Sequence, residues 1–174
     1  MHTHEVILEM RSLHSAAQNQ ILVFTLDEPR YALNLWTVER VVRAVEITPL
    51  PKAPGFITGV INVQGQLVTV VDVRQRLRLP ARELSPNDKF ILANTSRLSV
   101  ALVVDEVEGI HELTAQEMVS VEQGLPEVEY IKGMVKLENG LTLICDLDQF
   151  LSPAEEQKVE YALSQKRLKT GGTP

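Results

Sequence analysis

The chain has 174 residues, a net charge of −6 and a pI near 5.3. That acidity, with no Lys/Arg block, excludes the basic footprint of a nucleic-acid binder. Apolar runs such as Leu67–Val71 are far too short to span a bilayer. The opening MHTHEVILEM lacks the basic start and apolar core of a signal peptide, and the single cysteine, Cys145, fits the cytoplasm.

In chain order, residues 1–18 form a lead segment with Val6, Met10, Leu13 and Ala17 at helical spacing; it reads as a short docking helix or a frayed tail. QILVFTL (Gln20–Leu26) is a strand, Asp27-Glu28-Pro29-Arg30 a turn, and Tyr31–Leu35 the returning strand. Trp36 follows, with core packing as the ordinary reading and partner contact as the sharper one. Val38, Val41, Val42 and Val45 continue a β-branched stretch, until Pro49, Pro51 and Pro54 turn ITPLPKAPG into an extended loop. Gly59–Gln64 and Leu67–Val71 read as a hairpin around Gly65-Gln66, a type II′ pair. A polar linker, Leu79–Asp88, precedes a further strand pair, Phe90–Asn94 and Leu98–Val104. Asn139-Gly140 predicts a type I′ hairpin turn. Asp72-Val73-Arg74-Gln75 and Asp146-Leu147-Asp148-Gln149 each have capping spacing for a short helix. Ser152-Pro153-Ala154-Glu155 is a capping box that opens a helix from Pro153 to about Leu168. Its inner face is expected to hold Val159, Leu163 and either Tyr161 or Ala162, and Gly171-Gly172 end it. The expected organisation is a lead segment (1–18), a β domain (19–152) and a C-terminal helix and tail (153–174).

The chain contains much of itself twice. Phe56–Leu77, shifted by 74 positions, lies over Tyr130–Leu151 without a gap, and six of the 22 positions are identical; composition alone gives roughly one or two. A weaker echo at a shift of 69 lays Ala32–Val41 over Ala101–Ile110. Two echoes in one order imply two copies of one structural unit. Each copy alone has a marginal core, so the two should pack together, and their seam is a natural binding groove. Short strands, few helices and strong turn signals argue for small barrels or a sandwich.

Chemistry is hard to find in these residues. Asp72 and Asp146 are explained as helix caps, without acid–base work. His2, His4 and His14 fall in the lead segment, and with His111 they complete no metal-ligand set. Cys145 stands where the other copy has Val71, which marks a small buried hydrophobe rather than a nucleophile. No phosphate loop and no nucleophile elbow occur. The chain therefore reads as a scaffold that needs no cofactor, and not as an enzyme. An enzyme or ligand binder built on the groove between units is the competing class, and it would need converging titratable groups.

At the first repeat, Pro54-Gly55-Phe56-Ile57-Thr58-Gly59-Val60-Ile61-Asn62-Val63-Gln64-Gly65 followed by Leu67-Val68-Thr69-Val70-Val71-Asp72-Val73-Arg74 resembles the signature of the CheW family of bacterial chemotaxis coupling proteins. ILVFTL, YALNLWTVERV, VALVVDEVEGI and YIKGMVKLENGLTLICDLDQFL extend the likeness over about Gln20–Leu151. The resemblance implies a mainly β fold of two interlocked five-stranded, SH3-like barrels with short helices and a C-terminal helix. It implies a cytoplasmic, non-enzymatic adaptor, recruited to membrane receptor arrays without inserting into the membrane. Its partners would be the regulatory domain of the histidine kinase CheA and the helical tip of a chemoreceptor, the latter docked in a hydrophobic groove. The alternative role is the same scaffold in a pilus or surface-sensing pathway. Carried over residue by residue, the partner-binding positions are Val38, Arg40, Val41, Gly59, Asn62, Gln64 and Gly65. Two depart from the family pattern. Arg40 stands where Val-x-Glu-Val/Ile has its Glu, and Gln64 where Asn-x-Arg-Gly has its Arg. If the two are neighbours, a charged pair has become Arg beside Gln, a change that bears on partner choice more than on folding.

Overall fold

The computed structural model describes residues 19–114, 116–119 and 130–171. The lead segment, with His2, His4 and His14, lies outside them. The strands are β1 (Gln20–Thr25), β2 (Arg30–Asn34), β3 (Val38–Arg43), β4 (Ile57–Val63), β5 (Gln66–Val71), β6 (Lys89–Asn94), β7 (Ser99–Val104), β8 (Glu106–Glu112), β9 (Met118–Val119), β10 (Ile131–Leu137) and β11 (Gly140–Cys145). The helices are α1 (Val73–Arg76) and α2 (Pro153–Gly171), with 3-10 turns at Leu35–Thr37 and Leu147–Gln149.

The two shifts of the sequence echoes superpose strands. A shift of 69 carries β1 onto β6 end for end, and one of 74 does the same for β4 onto β10 and β5 onto β11. The two copies are not two separate sheets, however. One sheet runs β8-β1-β2-β11-β10-β9 and the other β3-β6-β7-β5-β4. Each sheet thus takes β1-β2 or their counterparts β6-β7 from one half of the chain, and its remaining strands from the other half. The joints are two parallel pairs, β2 with β11 and β5 with β7. Their registers correspond, since Leu143 faces Tyr31 just as Thr69 faces Val100.

The chain that leaves one edge of each sheet pairs again near the opposite edge. Beyond β3 the backbone of Thr48 exchanges two hydrogen bonds with Val60 of β4, at 2.9 and 2.8 Å. The proline-marked loop therefore carries one regular bridge. Beyond β8, the two-residue β9 pairs with Met134 and Val135 of β10 in the corresponding place, giving that sheet a sixth strand. These contacts give the fold its two-barrel character.

Burial follows the same symmetry. Ile21, Val23, Ala32, Val135 and Ile144 fill one sheet's own core. Their repeat counterparts Phe90, Leu92, Ala101, Ile61 and Val70 fill the other's. A third, larger cluster is shared: Leu22, Phe24 and Leu33 of the first sheet pack with Val71, Ile91 and Leu102 of the second. Strands so placed are buried on both faces, which is why Val68–Val71 is apolar without alternation except at Thr69. The seam is filled by this shared core.

The C-terminal helix α2 packs on the same cluster through Val159, Ala162 and Leu163, whereas Tyr161 is exposed, so Ala162 takes the inner position. Its capping box is reciprocal: Glu155 N–H donates to Ser152 Oγ at 3.2 Å, and Ser152 N–H to Glu155 Oε1 at 2.9 Å. Asp72 caps α1 by accepting from Gln75 N–H at 3.2 Å, and Asp146 accepts from Asp148 N–H at the start of a 3-10 turn rather than an α-helix.

Two expected turns are displaced by one residue. Val63 pairs with Gln66, so the first hairpin turns through Gln64-Gly65, with φ of 51° and 86°. Positive φ at both central residues is the type I′ pattern, not type II′. The side chain of Asn62 supports it by accepting from Gly65 N–H at 2.8 Å. In the second copy the turn is Glu138-Asn139, and the positive φ falls on Gly140. Trp36 is also placed differently from its core reading: 49% of it is exposed, on the 3-10 turn between β2 and β3.

Candidate functional site

The bulge in β3 builds one wall of the site. Val38 pairs with Ala93 and Arg40 with Leu92, which leaves Glu39 without a partner on β6. A bulge of this kind re-aims the side chains beside it, and Glu39 and Arg40 both line a cleft of about 170 Å³. Gln64 of the hairpin turn, Gln66 of β5 and Ser99 of β7 complete its polar walls, with Leu92 among the apolar residues beneath.

Of the seven expected positions, Arg40 and Gln64 are therefore brought to one cleft. The others sit differently. Val38 is buried in the shared core, and Val41 is half-buried against it. Gly59 is buried where β4 meets the Thr48 bridge; a Cβ there would lie 2.2 Å from the Thr48 carbonyl oxygen, so glycine is required by close approach. Asn62 and Gly65 shape the turn. Glu39, Gln66 and Ser99 had not been singled out in the sequence. The repeat alignment held a signal for Ser99, because it occupies the place of Arg30.

The Nε of Arg40, like that of Arg76, is shielded from solvent and has no hydrogen-bond partner, an unfavourable state for a guanidinium N–H.

The strongest electrostatic cluster lies elsewhere and is structural. Arg74, 7% exposed, donates through Nη1 and Nη2 to both carboxylate oxygens of Asp27, at 2.8 and 2.9 Å, and through Nη2 to those of Asp105. Arg82 bridges Asp105 to the buried Asp88. The hydrogen bonds from Arg74 hold the Asp27 carboxyl below its ordinary range. Burial pushes Asp105 up, but the Arg74 bonds and the Asp27 backbone N–H outweigh it and leave it lowered as well. Arg76 stacks its guanidinium 3.3 Å from the centre of the Phe56 ring and donates to Tyr130 Oη at 3.0 Å and to Glu155, tying α1 to α2.

Burial pushes the Cys145 thiol up to about 12, which keeps it protonated and unreactive at neutral pH. His111 pairs with Glu117 at 2.7 Å, and no group of three metal-ligating side chains occurs among the described residues. No helix among the described residues is long and apolar enough to cross a membrane.

The comparisons agree with this architecture. The model of the CheW-like domain matches residues 20–155. The chain is 29% identical to the chemotaxis protein CheW of Thermotoga maritima over 82% of this chain and 94% of that one. It is 28% identical to CheW of Bacillus subtilis, over 79% and 90% of the two chains. The crystal structure of the scaffolding protein TtCheW from Thermoanaerobacter tengcongensis superposes with a TM-score of 0.71 at 25% identity, covering 79% of this chain and 95% of that one. The chain belongs to the CheW-like domain family. It is a non-enzymatic scaffold with an adaptor role in chemotaxis.

Proposed function

We propose that this protein is the cytoplasmic adaptor that couples chemoreceptor tips to the regulatory domain of the histidine kinase CheA within membrane-associated receptor arrays. The observation that carries this reading is a conjunction. The CheW-like match spans nearly all of the described fold, and Arg40 and Gln64, two positions a CheW resemblance marks for partner contact, line one open polar cleft. Two sheets sharing one core suit a scaffold, because the shared core ties their outer surfaces to one another. Val41 packs half-buried against the shared core on the same strand as Arg40, Val38 and Gly59 are buried behind the cleft strands, and Asn62 and Gly65 shape the turn that carries Gln64.

The test is calorimetric titration of the full chain with the regulatory domain of the CheA encoded nearest this gene. Saturable binding, micromolar or tighter, supports the reading; no binding by folded protein counts against it. The same scaffold in a pilus or surface-sensing pathway differs only in which kinase binds, so a second titration with that pathway's kinase separates the two.

A further inference from the structure

We infer that the cleft beside β3 is a socket for an arginine side chain of the bound protein, with the Glu39 carboxylate as the group that receives its guanidinium. This rests on the adaptor reading and names the chemistry of one of its contacts.

The repeat supplies an internal template. In the other sheet the corresponding space is filled by an arginine of the chain itself. Arg30 Nε donates to both oxygens of Glu108, each at 2.9 Å, and its Nη1 donates to the Asn139 carbonyl at 2.7 Å. Glu108 is that sheet's bulge residue, left without a partner on β1, and Asn139 belongs to its hairpin turn. Shifted by 69 and 74 positions, the counterparts of Arg30, Glu108 and Asn139 are Ser99, Glu39 and Gly65. The correspondence holds in three dimensions. Glu39 is the bulge residue of β3, Ser99 opens β7 as Arg30 opens β2, and Gly65 sits in the turn between β4 and β5.

What this half lacks is the cation. Ser99 is too short to span the gap that Arg30 spans, and its hydroxyl donates instead to Asn94 Oδ1 at 2.8 Å. The Glu39 carboxylate, only partly exposed, is left with no hydrogen bond and no ion pair from the described residues. Between Ser99 and Glu39 lies an open cleft of about 170 Å³, several times the ~30 Å³ share of one water molecule. A planar guanidinium matches a carboxylate edge with two parallel hydrogen bonds. The side-chain oxygens of Gln64 and Gln66 can accept from its remaining N–H groups. One positive charge already lines the cleft: Arg40 stands where the other sheet has Gly109, and its charge opposes an incoming cation. It is not paired with Glu39, and its Nε is turned away from solvent. Arg40 therefore lowers the affinity of the socket without closing it, and the rival occupant is an anion drawn to Arg40.

The test uses the full chain, and its first part needs no partner. Ser99→Arg restores the arginine of the template and should raise the thermal midpoint by about 2 °C through pairing with Glu39; the gain should vanish when Glu39→Gln is combined with it. The second part titrates two probes from the same organism, the CheA regulatory domain and a helical-hairpin fragment of a receptor tip, by calorimetry. Glu39→Gln is expected to weaken binding of one probe at least tenfold, about 1.4 kcal/mol. Ser99→Arg, which fills the cleft as Arg30 fills its own, should weaken it to a similar degree, and Arg40→Gln should leave it unchanged or tighter. With the arginines of that probe labelled for NMR, one Nε–H resonance shifts on binding the wild type and stays in place with Glu39→Gln. Losses below twofold for both Glu39→Gln and Ser99→Arg overturn the socket while leaving the adaptor intact. A loss from Arg40→Gln as large as that from Glu39→Gln overturns it in favour of an anion. A Glu39-dependent loss with no arginine resonance shifted overturns it in favour of a lysine. A midpoint that Ser99→Arg raises no more in the wild type than in Glu39→Gln shows that the cleft does not hold a guanidinium, and overturns it whatever the probes do. Failure of both probes to bind the wild type removes the adaptor reading and the partner's arginine together.

Discussion

The guanidinium of Arg74 donates to both oxygens of Asp105 at 2.8 Å, and so joins the first residues of α1 to the corner where β7 of one sheet becomes β8 of the other. Asp27, which caps the far side of the same guanidinium, lies in the turn between β1 and β2 of the first sheet. One buried cation thus holds three chain segments at the junction of the sheets. Arg74→Met should lower the unfolding free energy by about 2–3 kcal/mol. That is less than the loss for a fully buried pair, because Asp27 remains half-exposed and can return to water. Urea denaturation followed by far-UV circular dichroism measures it, and a midpoint unchanged from wild type would show that the cluster contributes no net stability.

Acid should loosen this junction. Asp27, Asp105 and Glu155 are all held below their ordinary values in the folded chain. A carboxylate lowered by folding contributes stability that is complete above its unfolded pKa and disappears as pH falls through its folded pKa. Stability should therefore be level from neutrality to about pH 5 and fall below about pH 4, where unfolded carboxylates take up protons. Asp105→Asn should flatten that fall. Urea midpoints collected between pH 7 and pH 3 decide the matter; an Asp105→Asn curve parallel to wild type in acid would remove Asp105 from the explanation.

A buried hydroxyl offers a gain in stability. Thr142 is fully buried and its Oγ1 has no hydrogen-bond partner. The counterpart of Thr142 in the other copy is Val68, buried in the equivalent core. Thr142→Val keeps the shape and removes an unsatisfied polar atom, so it should stabilise the fold by about 1 kcal/mol. A thermal melt that moves down instead of up would show that the hydroxyl is satisfied in solution, for example by water.

Strand exchange makes a prediction about fragments. Residues 20–88 contain β1–β5 but no complete sheet, and residues 89–171 contain the rest. Each fragment alone should lack cooperative unfolding, because its strands leave edges that only the other half can pair. Mixed, the two should assemble into one folded species. Native-like dispersion in the NMR spectrum of either fragment by itself would contradict this.

Much of the local structure was legible before any coordinates. The capping box at Ser152–Glu155 works as its spacing implies, because capping is a contact between residues three apart. The repeat shifts of 69 and 74 superpose β1 on β6, β4 on β10 and β5 on β11. The errors are equally specific. The hairpin at Gly65 was displaced by one residue, because strand register and the bulge at Thr58 set the turn, and the dipeptide Gly65-Gln66 does not. Of the two readings of Trp36, core packing by residue type fails, because the 3-10 turn carries the side chain outward.

The sequence by itself determined that there are two copies of one β unit, and where most of their strands lie to within one or two residues. These are matters of periodicity, turn chemistry and residue type, all local. Only the tertiary structure decided that the copies exchange strands, that Arg74 lies buried between the carboxylates of Asp27 and Asp105, and that Arg40 and Gln64 share a cleft. Pairing partners and neighbours distant in sequence depend on how the whole chain buries its apolar faces at once, and no local pattern encodes that choice.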